Sequence, residues 1–345
     1  MQLTFFSFIK GQLATVPPVV TADLTGKTVI VTGANIGLGF EAAKHFARMN
    51  PGKLILACRS KEKGEAALTK IKEATSCQTA EMWSLDLASF ASVKSFVERF
   101  EKEGSRLDIL LENAGVIPAK NLQFTTDGWE QTVQVNDLSS SLLALLLLPR
   151  MLETATKYNT TPRLVVVTSE VHHWVTIDKN IIDAPNPLQR YAQKDNMTPP
   201  LGGERYATTK LLNILFARGL NDRLHRKPII VDTVNPGYCL SAFRRSFTGL
   251  RAFLDRLMEM ALARSTEEGS RQLVWAAIGA EEKKDELRGS YISLAEVTEP
   301  SDYVISDEGA AAQEKIWDNL IEELTKVDPR VEQIVKECLT SPTKT

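Results

Sequence analysis

Cysteine is scarce in this chain. The four present, Cys58, Cys77, Cys239 and Cys338, lie far apart, with no CxxC pair and no histidine cluster beside them. That argues against a zinc site or a disulfide framework, so no metal is expected, and scattered thiols fit a reducing compartment, with a cytoplasmic location as the default. Charge of one sign is missing as well: 41 Lys and Arg face 43 Asp and Glu, a formal net charge of -2. So balanced a chain lacks the overall basic footprint of a nucleic-acid binder. Long hydrophobic runs are also missing. The most lipid-like stretch, Leu142 to Leu148, is closed by Pro149, whereas a membrane span needs roughly 20 apolar residues. The start, MQLTFFSFIKGQLATVPPVV, has an apolar patch from Phe5 to Ile9 but neither a basic n-region nor a long apolar core. It does not read as a signal peptide. The chain is expected to be soluble, with weak membrane contact left open.

What is present is ordinary globular material, 43% hydrophobic and 24% charged over 345 residues. Such a length buries a sizeable core without staples, and by length alone it would suggest two domains. The patterning argues for one. Short aliphatic or β-branched runs, Thr28 to Thr32, Lys53 to Cys58, Met82 to Leu85, Leu107 to Leu111, Arg163 to Thr168 and Pro228 to Val234, alternate with longer amphipathic stretches. This is the signature of βαβ units, and the expected fold class is α/β, a Rossmann doubly wound parallel sheet. Residues 25–308 read as that domain. Residues 1–24 read as an irregular leader, 170–203 as a long loop rich in Pro and Gly, 238–264 as a second insertion, and 309–345 as a helical C-terminal extension. Trp317, Leu320, Ile321 and Leu324 repeat at helical spacing in the extension, a packing stripe.

The first predicted strand runs into Thr32-Gly33-Ala34-Asn35-Ile36-Gly37-Leu38-Gly39, with a helical pattern after it. Glycines there permit a tight turn and close approach of a pyrophosphate, and the helix start offers free N–H groups to the anion. About 20 residues beyond such a loop, a carboxylate would hold a ribose 2′-hydroxyl, whereas an arginine favours a 2′-phosphate. Here that place holds Arg59, and no Asp or Glu lies between Asn50 and Lys61. A guanidinium can grip a phosphate with two hydrogen bonds where a carboxylate would repel it, so NADP (NADPH) is the expected cofactor.

Tyr206-Ala-Thr-Thr-Lys210 opens an amphipathic helix and sets a phenol and an ammonium on one face at i and i+4. A free tyrosine has a pKa of about 10, and a neighbouring cation would stabilise the phenolate and bring it toward the working range of a base. YxxxK alone is common; its company gives it weight. The Gly33-x3-Gly37-x-Gly39 loop, Asn113-Ala114-Gly115, Ser169 after a strand, YxxxK and Asn235-Pro236-Gly237 follow in that order. With that set the chain resembles the short-chain dehydrogenase/reductase family over about residues 25–300. Within the family it looks like the retinol-dehydrogenase-like branch, and most of all like fungal short-chain dehydrogenases, on TGANIGLG, ACRS, WSLDLAS, LDILLENAG, VTSEVHH and VNPGYC.

The resemblance implies roles position by position. Tyr206 would be the general acid/base, Ser169 would hydrogen-bond the reacting oxygen, and Lys210 would bind the nicotinamide ribose. Asn136 would hold a water that links Lys210 to solvent. Asp86, within Leu85-Asp86-Leu87, would contact the adenine, and Leu87 and Asn113 to Gly115 would line the cofactor beside it. Pro236, Gly237 and Ser241, the hydroxyl nearest the usual carboxamide contact, would complete the site. Two departures stand out: Glu112 replaces the first Asn of the family's NNAG, and the Glu170 to Gly203 stretch separates Ser169 from Tyr206 far more than is usual. His172 and His173 could line a substrate pocket or be an ordinary loop pair. Trp174, Tyr191 and Phe243 could wall an apolar substrate or cover the insertions' own core. The expected substrate is an apolar alcohol or carbonyl: a lipid aldehyde, a retinoid, a steroid, or a fungal terpenoid or polyketide intermediate. A non-catalytic NADP-binding sensor or scaffold is the competing class, against which Asn136, Ser169, Tyr206 and Lys210 together argue. Epimerisation or dehydration on the same fold has nothing specific in its favour, and the oligomeric state stays open.

Overall fold

A computed structural model of the chain describes residues 3–104, 106–118, 122–193, 203–225, 227–240, 256 and 258–340. Its centre is an eight-stranded sheet in the order β3-β2-β1-β4-β5-β6-β7-β8. The strands are β1 (Thr28–Thr32), β2 (Lys53–Cys58), β3 (Ala80–Ser84), β4 (Ile109–Glu112), β5 (Arg163–Val167), β6 (Ile230–Asn235), β7 (Tyr291–Ser293) and β8 (Glu296–Thr298). The first seven run parallel, and β8 closes the edge antiparallel to β7. This is the doubly wound order, and the chain's direction of travel reverses between β1 and β4.

Strand side chains alternate between faces, and both faces are covered. Ile30 of β1 joins a core cluster with Ile55, Trp83, Phe96, Leu145 and Leu215. Its neighbours Val29 and Val31 join another with Phe46, Leu54, Leu56 and Leu273. That double burial is why the strands read as unbroken apolar runs rather than alternating ones. The Leu142 to Leu148 run lies in a 28-residue helix, Gln131–Tyr158, which is long and apolar enough to cross a membrane by length and composition. Every one of those seven residues is buried in the first cluster, so their apolar surface is taken up by the core.

Two expected irregular stretches prove more structured. The leader contains a helix, Phe5–Leu13, whose Thr4 side chain caps the Ser7 amide. Proline is absent until Pro17, so nothing local breaks it. The expected 170–203 loop holds a 3-10 turn, Glu170–Trp174, and two short helices, Lys179–Ile182 and Pro187–Ala192, with Pro187 at a helix start where its missing N–H costs nothing. The extension forms helices Asp307–Val327 and Arg330–Cys338. They belong to the main body: Trp317 stacks on Phe216 at 6.1 Å and joins the first core cluster with Leu320 and Leu324.

Candidate active site

The glycine loop lies at the C-terminal ends of β1 and β4, where the sheet order reverses. Gly33 has φ +68°, a left-handed conformation that favours glycine. A methyl on Gly39 would run into the Asn113 amide and come within 2.7 Å of the Gly33 carbonyl oxygen. Asn113 ties the two strand ends together: its Nδ2 donates to Thr32 O at 2.9 Å, and its backbone N–H donates to Thr32 Oγ1 at 3.0 Å. Ala114 N–H donates to the same hydroxyl at 3.0 Å. The helix Gly37–Ala47 then begins at Ile36 with no side-chain cap and no acidic residue in its first turn. Its first amides are therefore available to an anion, and no carboxylate competes there. Asn35 and Leu38 are half-buried in the same turn, and Ile36 is exposed.

At the far end of the crevice Arg59 is exposed, one residue beyond β2. Asp86 follows β3; its Oδ1 accepts from Ala88 N–H at 2.9 Å, and its own N–H donates to Ser92 Oγ at 2.9 Å. The side chain of Leu87 is packed in the core, which leaves only its backbone for a ligand.

The helix Gly203–Leu224 carries Tyr206 and Lys210. Tyr206 is half-buried and Lys210 buried, with the ammonium 5.6 Å from the phenol ring centroid. Two bonds fix Lys210: Nζ donates to Val167 O at 2.8 Å and to Asn213 Oδ1 at 3.1 Å. Thr168 Oγ1 donates to Lys210 O at 2.7 Å, which clasps the end of β5, and with it Ser169, to this helix. Burial pulls the Lys210 pKa down to about 8, while the nearby carboxyls of Asp137 and Glu112 hold it up. Both carboxyls are themselves buried, and desolvation raises them well above the ordinary range.

Asn136 sits in a π-turn, Gln134–Leu138, a local widening of the long helix of a kind often found at functional sites. Its side chain is tied to the chain just past β4, accepting from Val116 N–H at 2.8 Å and donating to Val116 O at 2.9 Å. Its carbonyl accepts from Asn213 Nδ2 at 2.7 Å. Asn213 therefore bonds both Lys210 and the backbone carbonyl of Asn136. It escaped the sequence reading, although it lies three residues after Lys210 on the same helical face.

Beyond β5, Ser169 caps the 3-10 turn, its Oγ accepting from Val171 N–H at 3.4 Å. Asn235 joins this segment to the turn after β6: its Oδ1 accepts from Glu170 N–H at 3.2 Å and from Gly237 N–H at 3.0 Å. Pro236 is buried beside it. Burial pushes the Glu170 carboxyl up to about 7, against the opposing pull of Arg264 and Asn235. His172 is wholly buried and bonded at both ring nitrogens, to Ser169 O at 2.8 Å and Ser301 N at 3.1 Å, which removes it from the pocket-lining candidates. Tyr191 is also buried, with its hydroxyl donating to Arg205 O at 3.1 Å, and it joins the first core cluster rather than a separate core of the insertion. Ser241 and Phe243 lie outside the described residues.

Residues 27–173 match the family model described as short chain dehydrogenase. The short chain dehydrogenase/reductase dmxR8 of Cryptosporiopsis sp. is 35% identical, over 94% of this chain and 98% of its own length. The chain belongs to the short-chain dehydrogenase/reductase family.

Other relatives agree. The short chain dehydrogenase sol3 of Alternaria solani is 43% identical over 74% of this chain and 85% of its own. A solved structure from Mycobacterium Paratuberculosis has a TM-score of 0.64 at 28% identity, covering 90% of this chain and 98% of that one. The Pseudomonas aeruginosa RhlG/NADP active-site complex shares the fold, with a TM-score of 0.60 at 20% identity over 78% of this chain and 95% of its own. Family membership makes this short-chain dehydrogenase an oxidoreductase, and its site fits a nicotinamide cofactor. The fit rests on the close-packed glycine loop, where a Cβ at Gly39 would collide with Asn113 and the Gly33 carbonyl, and on the uncapped helix start beside it.

Proposed function

We propose that this short-chain dehydrogenase is an NADP-dependent enzyme that interconverts an alcohol and a carbonyl on an apolar small molecule. The observation that carries the reading is the buried Lys210 ammonium, fixed by two hydrogen bonds and held 5.6 Å from the Tyr206 ring centroid. Gly33 to Gly39 and the first amides of the following helix would hold the pyrophosphate, Arg59 the 2′-phosphate, Asp86 the adenine, and Lys210 the nicotinamide ribose. NADP, when bound, supplies the hydride chemistry. Tyr206 gives a proton to the carbonyl oxygen in reduction or takes one from the alcohol in oxidation. Lys210 stabilises the phenolate form electrostatically. Ser169 orients the reacting oxygen. Resemblance to fungal short-chain dehydrogenases supports a role in secondary-metabolite biosynthesis.

The test follows NADPH and NADH absorbance against a panel of apolar aldehydes and ketones, with wild type beside Tyr206→Phe. NADPH-linked turnover is expected in the wild type, with a loss of about 100-fold or more in kcat for Tyr206→Phe. NADPH binding without turnover of any probe would overturn the enzymatic reading. Full activity in Tyr206→Phe would remove the acid/base assignment.

A further inference from the structure

The helix Phe5–Leu13 does not pack on the sheet through its polar contacts; it holds the two loops at the sheet's C-terminal edge. Gln12, buried, makes three hydrogen bonds with backbone more than two hundred residues away. Its Nε2 donates to Tyr238 O at 2.9 Å and to Leu262 O at 3.1 Å, and its Oε1 accepts from Tyr238 N–H at 3.0 Å. Arg264 Nη2 adds a bond to Gly11 O at 2.6 Å. These contacts meet the base of the second insertion. There Leu240 N–H donates to Arg264 O at 2.8 Å and Arg264 N–H donates to Tyr238 O at 2.9 Å.

The other loop is held by the same helix and by the residue just before its cap. Trp174 Nε1 donates to Leu3 O at 2.8 Å. Phe8 sets its ring edge-on to Trp174 at 5.9 Å and to Tyr238 at 6.4 Å. One short helix therefore joins the segment that follows Ser169 to the turn that follows Pro236. Close packing at that turn is strict: Gly237 has φ +81°, and a methyl there would come within 2.8 Å of Gln12 Oε1.

We infer that the helix Phe5–Leu13 is a clamp on the substrate side of the active site, with Gln12 as its positioning residue. Phe8, Trp174 and Tyr238 form the aromatic cluster through which it sets which carbonyl compounds fit. A helix that only added stability could have packed anywhere on the exterior. This one places a buried amide, costly unless fully bonded, on the backbone of the loop that leaves the Asn235-Pro236-Gly237 turn. The inference rests on the alcohol–carbonyl reading above for its kinetic part. Its structural part needs no substrate.

The experiment compares wild type, Gln12→Leu, which keeps bulk but removes all three bonds, and Phe8→Ala, which leaves Gln12 in place. Amide hydrogen exchange at Tyr238 and Leu240, NADPH affinity by fluorescence titration, and kcat and KM on the carbonyl panel are measured for each. In Gln12→Leu, exchange at Tyr238 is expected to rise about tenfold or more while the sheet amides are unchanged. NADPH affinity should stay within about twofold, KM for the best probe should rise about tenfold, and the rank order of probes should change in both variants. Unchanged exchange at Tyr238 would overturn the clamp, whether or not any probe is turned over. Raised exchange with unchanged KM and rank order would overturn the assignment of specificity to it. A wild type that binds NADPH but reduces nothing would sink the functional reading alone, and the exchange measurement would still decide the clamp.

Discussion

Lys210 and Asn213 form a pair on one face of a buried helix, ammonium to amide oxygen at 3.1 Å. The same amide group donates to the Asn136 carbonyl at 2.7 Å and to Asp137 Oδ1 at 3.1 Å. One side chain thus fixes the lysine on which the phenol depends and the π-turn facing it. Asn213→Leu removes all three bonds at nearly constant volume and leaves Lys210 only the Val167 carbonyl. The expected result is a fall in kcat of about tenfold or more, larger than any rise in the NADPH Kd. The alkaline limb of the kcat–pH profile should also move, because the Lys210 pKa, about 8, is set by burial against the Asp137 and Glu112 carboxyls. A variant with normal kcat and an unmoved limb would show that Asn213 is packing alone.

Arg59 gives the second prediction. It is exposed just past the end of β2, the strand that pairs with β1 and its glycine loop. If it grips a 2′-phosphate, Arg59→Asp should weaken NADPH through like-charge repulsion and give a free 2′-hydroxyl a partner. The ratio of kcat/KM for NADPH over NADH should fall by about 100-fold, equivalent to roughly 2.7 kcal/mol. An unchanged ratio would sink the role given to Arg59.

Much of this was legible in the sequence, for identifiable reasons. β1 and β2 occupy Thr28–Thr32 and Lys53–Cys58, as their apolar runs indicate, because burial on both faces writes itself into every residue of a strand. The Tyr206 and Lys210 pairing was legible because i and i+4 meet on any helix. β7 and β8 were not, since three residues carry too little pattern. Gln12 was not legible at all: its partners, Tyr238 and Leu262, are brought to it by the fold, and no local periodicity records that. Nor was the π-turn, because the apolar spacing of Gln131–Tyr158 reads as ordinary helix through it.

Gly39 tests the cofactor cradle directly. Its missing side chain leaves room for the Asn113 amide and the Gly33 carbonyl, and the Asn113 bond to Thr32 O depends on that room. Gly39→Ala pushes Asn113 off the β1 end and displaces the loop backbone. Overpacking of this kind costs about 1–3 kcal/mol. The NADPH Kd is expected to rise about tenfold or more, with a lower Tm. A Kd and Tm equal to wild type would mean that the loop yields freely and that the glycine is incidental.

His172 sets a pH dependence of stability whose sign follows from its bonds. Nδ1 faces Ser169 O, and Nε2 accepts from Ser301 N–H, an arrangement only a neutral imidazole satisfies. Burial first, and then His173, hold its folded pKa down at about 3, against an ordinary value of 6.5. Unfolded chain therefore takes up a proton below about pH 6.5 that the folded protein refuses. The stabilisation is whole above that pH and is lost toward pH 3, at about 1.4 kcal/mol per pH unit for one proton. Glu170 acts in the opposite sense: its folded pKa of about 7 lies above the ordinary 4.5, so its term is lost as pH rises through that window. The clean comparison is therefore Glu170→Gln against Glu170→Gln with His172→Asn, by urea unfolding at several pH values. The second protein should be less stable at pH 7.5, and the gap should narrow by about 1 kcal/mol between pH 6.5 and 5.5. A gap that stays constant across that range would mean that the folded His172 takes up its proton as readily as the unfolded one.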